Sequence, residues 1–266
     1  MPEGPECKII AEYLKKSICD TQLTNIIIHP KSRYTRHGPP LNFEKLEYPR
    51  EIDDVGVKGK LIWIKTGQYY ILNTLGMSGM WTLKNGKHCD VELCLQDKPN
   101  IFFKDMRHFG TLKIVDQQGF DKKLASIGYD VFDFCDFKTF SELLSKKSSW
   151  TLPKFLMSQK HISGIGNYLK CEILYRLRVS PHRLIRELSE EEITKLYDLV
   201  QELPLSSYTA QGVSIRDYQP PEKYRDGLKK FALLVYNHDV DSHGYQVIRE
   251  TTSDRRTTHW VHELQK

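Results

Sequence analysis

The sequence predicts an α+β chain in which a β-rich first half follows an N-terminal helix, a helical stretch comes next, and a β-hairpin ends the chain. Three observations carry this reading. Apolar residues recur at helical spacing over residues 3–18, break into short runs bounded by Gly, Pro and Asn from 24 to 115, and resume helical spacing after about 135. At 266 residues the chain has room for one large domain or two ordinary ones, each with its own core.

The first helix, expected over 3–18, carries Ile10, Tyr13, Leu14 and Ile18 on one stripe. The runs NIIIH, KLIWIK, YYILNTL, MWTLK, CDVELCL, NIFFK and TLKIV then read as strands, and their regular spacing points to a sandwich or barrel. Helices are expected near 137–146, 151–159, 167–177, 189–202 and 222–236. The least ordered stretch is expected over 204–227, which holds Pro204, Gly212, Pro220, Pro221 and Gly227. The tail returns to strand-like text, YQVI and TTHWV, around a polar turn.

With 39% hydrophobic residues and a mean hydropathy of −0.50, no run approaches the roughly 20 apolar residues of a membrane span. The opening MPEGPECK has acids ahead of any apolar run, unlike a secretory signal or an Arg-rich transit peptide, so an intracellular protein is expected. Six cysteines at 7, 19, 89, 94, 135 and 171 include no Cys-x-x-Cys unit, and buried reduced thiols are the better reading. The net charge of +5 is unevenly spread. Between Lys154 and Arg186, seven Lys and Arg face only Glu172, a net +6 that could meet a polyanion or form a solvated helical face.

Two places could carry chemistry. If Met1 is removed, the chain starts at Pro2 with a secondary amine. A free α-amine has a pKa of about 7.7–8.0 against about 10.4 for Lys, so it is a ready nucleophile near neutral pH. Glu3 and Glu6 beside it could transfer protons, or could simply suit a helix start, as Pro in the first turn does. In QKHISGIGNYLKCEILYR, residues 159–176, Gly164 and Gly166 make a tight turn and Asn167 is a good helix N-cap. The helix start offers free N–H groups to a phosphate, inside the basic window.

MPEGPE, GKLIWIK, LGMSG, DMRHFG and QKHISGIGNYLKCEILYR occur in the order seen in the formamidopyrimidine/endonuclease VIII family of DNA glycosylases, which the chain resembles from residue 2 to its end. The resemblance implies a two-sheet β-sandwich behind the N-terminal helix (residues 1–134), a helix-two-turn-helix domain (135–236) and a C-terminal hairpin (237–266), with DNA between the domains. It implies that Pro2 attacks C1′ of the damaged nucleotide and that Glu3 assists sugar opening and proton transfer. Lys60 would hold phosphate beside the active site, and Asn167 would contact phosphate at the helix turn. Met77, Arg107 and Phe109 would fill the gap left by the flipped base, offsetting a few kcal/mol of lost stacking and pairing.

The tail departs from the bacterial pattern, which ends in a four-cysteine zinc finger. No Cys follows Cys171, Val261 and Leu264 stand where the last cysteine pair would fall, and His243 sits near one earlier ligand. One His cannot hold a tetrahedral zinc. The tail therefore resembles the zincless finger of some Nei-like and plant enzymes, with Val261, Leu264 and Trp260 packing in place of metal. Arg256 would be the catalytic hairpin arginine, with Arg255 as fallback.

The implied function is a bifunctional glycosylase/AP lyase acting through an N-terminal Schiff base and β,δ-elimination, with no cofactor or metal. Its expected partner is damaged double-stranded DNA, with single-stranded or bubble DNA as further options, bound by a monomer with no membrane association. The zincless finger favours oxidised pyrimidines and hydantoins, although plant relatives with the same loss group with enzymes for oxidised purines. The rivals are a catalytically silent DNA-binding relative and, disfavoured by the cysteine positions, a zinc-dependent nucleic-acid enzyme. The stretch QGVSIRDYQPPEKYRDG resembles the family's cover over the flipped base, and His88 and Asp90 stand where many relatives carry His-x-His.

Overall fold

A computed structural model describes residues 1–38, 40, 42–213 and 231–266. They form two compact units, one from Met1–Ser126 with residues 211–213, the other from Ile127–Ala210 with residues 231–266.

The first unit opens with α1 (Gly4–Ile18), whose Pro5 occupies the first turn, where a missing N–H costs nothing. The Glu6 carboxylate accepts the Glu3 N–H at 2.8 Å, and Lys15 and Lys16 offset the dipole at the far end. There follow β1 (Gln22–Ile28), α2 (Arg33–His37), β2 (Arg50–Glu51), β3 (Asp54–Lys58), β4 (Leu61–Thr66), β5 (Tyr69–Thr74), β6 (Gly79–Thr82), β7 (Cys89–Leu95), β8 (Ile101–Asp105), β9 (Thr111–Asp116) and α3 (Gln117–Ala125). One sheet has the order β2-β1-β7-β8-β6 and the other β3-β4-β5-β9. Cys7, Ile10, Leu14 and Ile18 of α1 share one core with Leu23, Val91 and Phe103 of the first sheet and Val55, Ile64 and Ile114 of the second. Trp81 donates across to Asn73 at 3.0 Å, so the buried indole N–H is satisfied inside the sandwich.

Elements α2, β2, β3 and α3 of this unit escape the sequence pattern, and the structure explains two of them. The run DVGVK of β3 holds a glycine, ordinarily a strand breaker. Gly56 pairs with Trp63, and a Cβ on it would stand 2.1 Å from the indole, so here the glycine makes room for an aromatic. Helix α3 is polar, but Asp116 caps it through the Gly119 N–H at 2.8 Å. Its Phe120 stacks on Tyr70, with ring centroids 3.8 Å apart.

The second unit contains β10 (Tyr129–Asp130), α4 (Phe137–Ser145), α5 (Leu152–Leu156), β11 (Ile162–Ser163), α6 (Asn167–Leu177), α7 (Glu190–Thr209), β12 (Ile248–Thr251) and β13 (Thr257–Trp260). Helix α7 starts at a capping box between Ser189 and Glu192, and it passes the expected end at 202 to run through Pro204. Burial of Leu203, Pro204 and Ser207, and a 2.9 Å bond from Ser207 Oγ to Tyr168 Oη of α6, offset the hydrogen bond that proline removes. Most of the helix expected at 222–236 lies outside the described residues, and residues 231–236 are not helical. The segment expected to cover a flipped base is outside them from Ser214 on.

Candidate functional site

Pro2 is buried at the head of α1 and lines a pocket of about 180 Å³ with Met1, Cys7, Lys60, Thr74, Leu75 and Gly76. The β3–β4 turn delivers Lys60, 58 residues away in the chain, to the same space as Pro2. Glu3, at the α1 N-cap, is 1% exposed. Glu6 is not placed to shuttle protons, because its carboxylate accepts the Glu3 N–H at 2.8 Å and the Val213 N–H at 2.9 Å. It ties the helix start to the chain at Val213.

The pocket rim continues into two loops, LGMSG before β6 and DMRHFG after β8. Gly76 has φ +61°, and a Cβ there would meet Gly110 N and Phe109 C at 2.6 Å, so only glycine lets the loops lie this close. The fully buried Asp105 clasps them: Oδ1 accepts from Ser78 Oγ at 2.6 Å and Oδ2 from Gly110 N at 2.6 Å. Arg107 N donates in turn to Ser78 Oγ at 2.9 Å. The clasp presents three side chains. Met77 is half-buried with its Sδ 3.9 Å from Arg107 Nη1, and Phe109 is 60% exposed, which excludes a core role for it.

Arg33 of α2 buttresses the second loop, donating through Nη1 to the carbonyls of His108 at 2.8 Å and Gly110 at 3.0 Å. Asp90 is buried and engages His108 Nδ1 at 3.1 Å and the Arg33 N–H at 3.2 Å. It is therefore a scaffold carboxylate, while His88 is exposed and lines a separate pocket of about 480 Å³ with His29, Lys31, Lys87, Cys89 and His108.

In the second unit, the glycine turn before α6 is wrapped around one side chain. Gln159 accepts the Gly164 N–H at 3.1 Å and donates to the Ile165 carbonyl at 2.8 Å. The N-cap is Gly166 rather than Asn167, which is the first helical residue. This frees the Asn167 amide to reach sideways, and its Nδ2 donates to the Thr257 carbonyl of β13 at 2.8 Å. Asn167 is thus joined to the residue next to Arg256. Arg255, at φ +60°, and Arg256 lie exposed in the β12–β13 turn, and neither guanidinium has a partner among the described residues.

The basic window is smaller than its composition suggests. Lys170 is fully buried and paired with Asp254 at 2.8 Å, Arg176 pairs with the buried Glu172, and Arg183 pairs with Glu192 at 2.6 Å. Lys154, Lys160, Arg178 and Arg186 remain exposed. Glu172, the one acid of the window, accepts the N–H groups of Leu234, Val235 and Tyr236 at 3.0 Å each and so anchors the chain leading to the hairpin.

The hairpin packs without metal ligands where the cysteines would stand. Val261 is fully buried with Cys171, Tyr175, Val235 and Val247, and Leu264 packs against them. Trp260 lies elsewhere, edge-on to His182 at 5.6 Å. Val261 and Leu264 have no donor atom for zinc, and among the described residues no group of three His, Cys, Asp or Glu side chains could hold a metal ion. The residues present do not fit the ion. Within β13, His259 accepts no charge readily: burial, then the nearby Arg249 and Lys170, push its imidazole down to about 4.

Asp105, Ser78, Gln159, Lys170 and Asp254 carry much of this geometry, and none stood out in the sequence. Asp105, Ser78 and Gln159 sit inside the motifs DMRHFG, LGMSG and QKHISGIGN beside the conspicuous residues, Lys170 counts only as one charge of the basic window, and Asp254 lies in no motif.

Residues 1–112 match the family model of the formamidopyrimidine-DNA glycosylase N-terminal domain, and residues 131–218 that of its H2TH domain. Similar proteins include the formamidopyrimidine-DNA glycosylase of Oceanobacillus iheyensis, 27% identical over 82% of this chain and 80% of that one. That of Legionella pneumophila strain Philadelphia 1 is 28% identical over 89% and 87%. Among solved structures, MutM (Fpg) of Thermus thermophilus superposes with a TM-score of 0.84 at 24% identity, covering 99% of this chain and 98% of that one. Lactococcus lactis Fpg, in complex with DNA containing an abasic site, gives 0.85 at 23% identity over 99% of each chain.

Proposed function

Because the chain belongs to the formamidopyrimidine-DNA glycosylase/endonuclease VIII family, whose members are base-excision-repair DNA glycosylases with AP lyase activity, we propose that its N-terminal amine removes oxidised bases and then cuts the strand. The observation that supports this most is the convergence of Pro2 and Lys60 in one pocket beside the Met77 and Phe109 loops.

With Met1 removed, the Pro2 nitrogen attacks C1′. The C1′–N bond to the base breaks, and the base leaves with the electron pair and takes a proton. Glu3 assists opening of the sugar, giving an iminium between Pro2 and C1′. That cation withdraws electrons, so the C2′ proton becomes acidic and elimination breaks first the 3′ and then the 5′ phosphate bond. Lys60 holds the adjacent phosphate and stabilises developing charge. Met77 and Phe109 occupy the vacated stack while Arg107 bonds the orphan base. Asn167 and Arg256 grip phosphates flanking the lesion.

The DNA is damaged duplex, with single-stranded and bubble DNA as candidate substrates, and the enzyme acts as a monomer wherever the DNA lies inside the cell. No helix among the described residues is long and apolar enough to cross a membrane. The zincless hairpin supports oxidised pyrimidines and hydantoins as substrates. The names of the similar proteins support a second reading, oxidised purines. Duplexes bearing 8-oxoguanine, thymine glycol, dihydrouracil and spiroiminodihydantoin separate the two by their single-turnover rates.

Borohydride trapping on abasic DNA tests the nucleophile. A covalent adduct is expected with wild type and with Pro2→Gly, which keeps an N-terminal amine. A protein that retains Met1 and still traps normally would show that Pro2 is not the nucleophile.

A further inference from the structure

We propose that Lys170 and Asp254 are positioning residues that set the hairpin arginine against the start of α6, so that Asn167 and Arg256 act as one phosphate clamp. The inference rests on the role proposed above for Arg256 and extends it to two residues that DNA cannot touch.

Lys170 sits one turn into α6 with its side chain 0% exposed, and Asp254, in the hairpin turn, is 2% exposed. Their ion pair measures 2.8 Å through Asp254 Oδ2. Burying two charges is expensive, and such a pair holds only when its remaining valences are filled and its geometry is good. Here the other carboxylate oxygen accepts from Thr252 Oγ1 at 2.5 Å, and Thr252 Oγ1 also meets Thr258 Oγ1 at 2.6 Å across the hairpin. The turn closes through Thr252 N to the Arg256 carbonyl at 3.1 Å and Arg255 N to the Thr252 carbonyl at 2.8 Å. Asp254 therefore fastens both legs of the turn that carries Arg255 and Arg256.

Two further ties come from the neighbouring elements. Ser253 Oγ meets Thr151 Oγ1, the N-cap of α5, at 2.5 Å, and Asn167 Nδ2 holds the Thr257 carbonyl at 2.8 Å. The turn is thus tied on three sides while its two arginines remain exposed and unpaired among the described residues. The contacts of Val261 and Leu264 add no direction of their own to a guanidinium, because hydrophobic contact is non-directional. The buried ion pair supplies that direction where Val261 and Leu264 cannot.

The test is the salt dependence of binding to abasic duplex DNA. Lys170→Met with Asp254→Asn removes both charges together, so neither is left buried and unpaired, and the Asn can still bond Thr252. Since each phosphate contact adds about 0.9 to the log–log slope, this double variant should flatten the slope by about 0.9, as should Arg256→Ala. The triple variant should fall no further than either, because both changes remove the same contact. Lys170→Arg should keep the wild-type slope. A merely structural pair would lower the melting temperature and leave the slope intact. A wild-type slope in the folded double variant, or an additive loss in the triple, overturns the proposal. A wild-type slope in Arg256→Ala alone overturns the role of Arg256 and the positioning inference with it. If the double variant does not fold, Lys170→Gln with Asp254→Asn replaces the ion pair by a neutral amide pair, and a wild-type slope there overturns the proposal equally.

Discussion

Asp105 Oδ1 and Ser78 Oγ share a 2.6 Å hydrogen bond inside the sandwich, and through it the loops that carry Met77 and Phe109 become one object. Neither partner reaches the surface. Their substitution therefore separates holding the two loops from the gap-filling role proposed for Met77, Arg107 and Phe109.

Asp105→Asn replaces an acceptor of three N–H and O–H donors with a group that must itself donate, leaving at least one buried donor unsatisfied at about 1–3 kcal/mol. Removal of a damaged base from duplex DNA should slow by about tenfold or more, equivalent to about 1.4 kcal/mol on the barrier. Cleavage at a preformed abasic site, which has no base to extrude, should change much less. Parallel single-turnover assays on the two substrates check this.

Lys60→Met keeps the length of the side chain and removes the cation from the Pro2 pocket. Loss of the charge proposed to hold the adjacent phosphate should lower the rate of borohydride-trapped adduct by about 100-fold or more. Melting temperature should move little, since the β3–β4 turn itself is backbone-paired.

Acid should weaken the second unit through His259. The folded imidazole stays neutral down to about 4, whereas in an unfolded chain it takes up a proton near its ordinary value of about 6.5. Between these values the unfolded state binds the extra proton, so stability falls as pH drops from about 6.5 to about 4 and is insensitive to this group above that range. His259→Phe keeps a ring against Tyr236 and should flatten this part of the profile in urea melts taken from pH 4 to 7.

Val261→Ala opens space in the cluster with Cys171, Tyr175, Val235 and Val247 and should cost about 2 kcal/mol of unfolding free energy. Treatment with a chelator should leave the melting temperature of the wild type unchanged. A lower melting point after chelation would mean that a metal, and not this cluster, holds the hairpin.

Much of the architecture was legible because it is periodic. The stripe of α1, the apolar runs of β4, β5 and β7, and the TTHWV strand are local patterns that repeat at 3.6 or 2 residues. β3 was not, because the reason for Gly56 is Trp63 on the next strand. The end of α7 was misjudged for a similar cause: Pro204 breaks helices on propensity, and burial of its turn overrides that.

The sequence alone carried the residues on which the proposed chemistry rests: a proline that becomes N-terminal if Met1 is removed, a lysine in GKLIWIK, a glycine turn ahead of a helix, and a tail with no Cys after Cys171. Residue type and order suffice for these, since reactivity begins with functional groups. Tertiary structure decided which charges remain available. The window from Lys154 to Arg186 counts as +6 in the sequence, but Lys170, Arg176 and Arg183 are spent on Asp254, Glu172 and Glu192, and Arg256 in the tail turn stays exposed. The physical reason is that a cation's role depends on which carboxylate folds against it: Glu172 and Glu192 stand near their arginines in the chain, but Asp254 lies 84 residues from Lys170, and such a pairing leaves no local pattern.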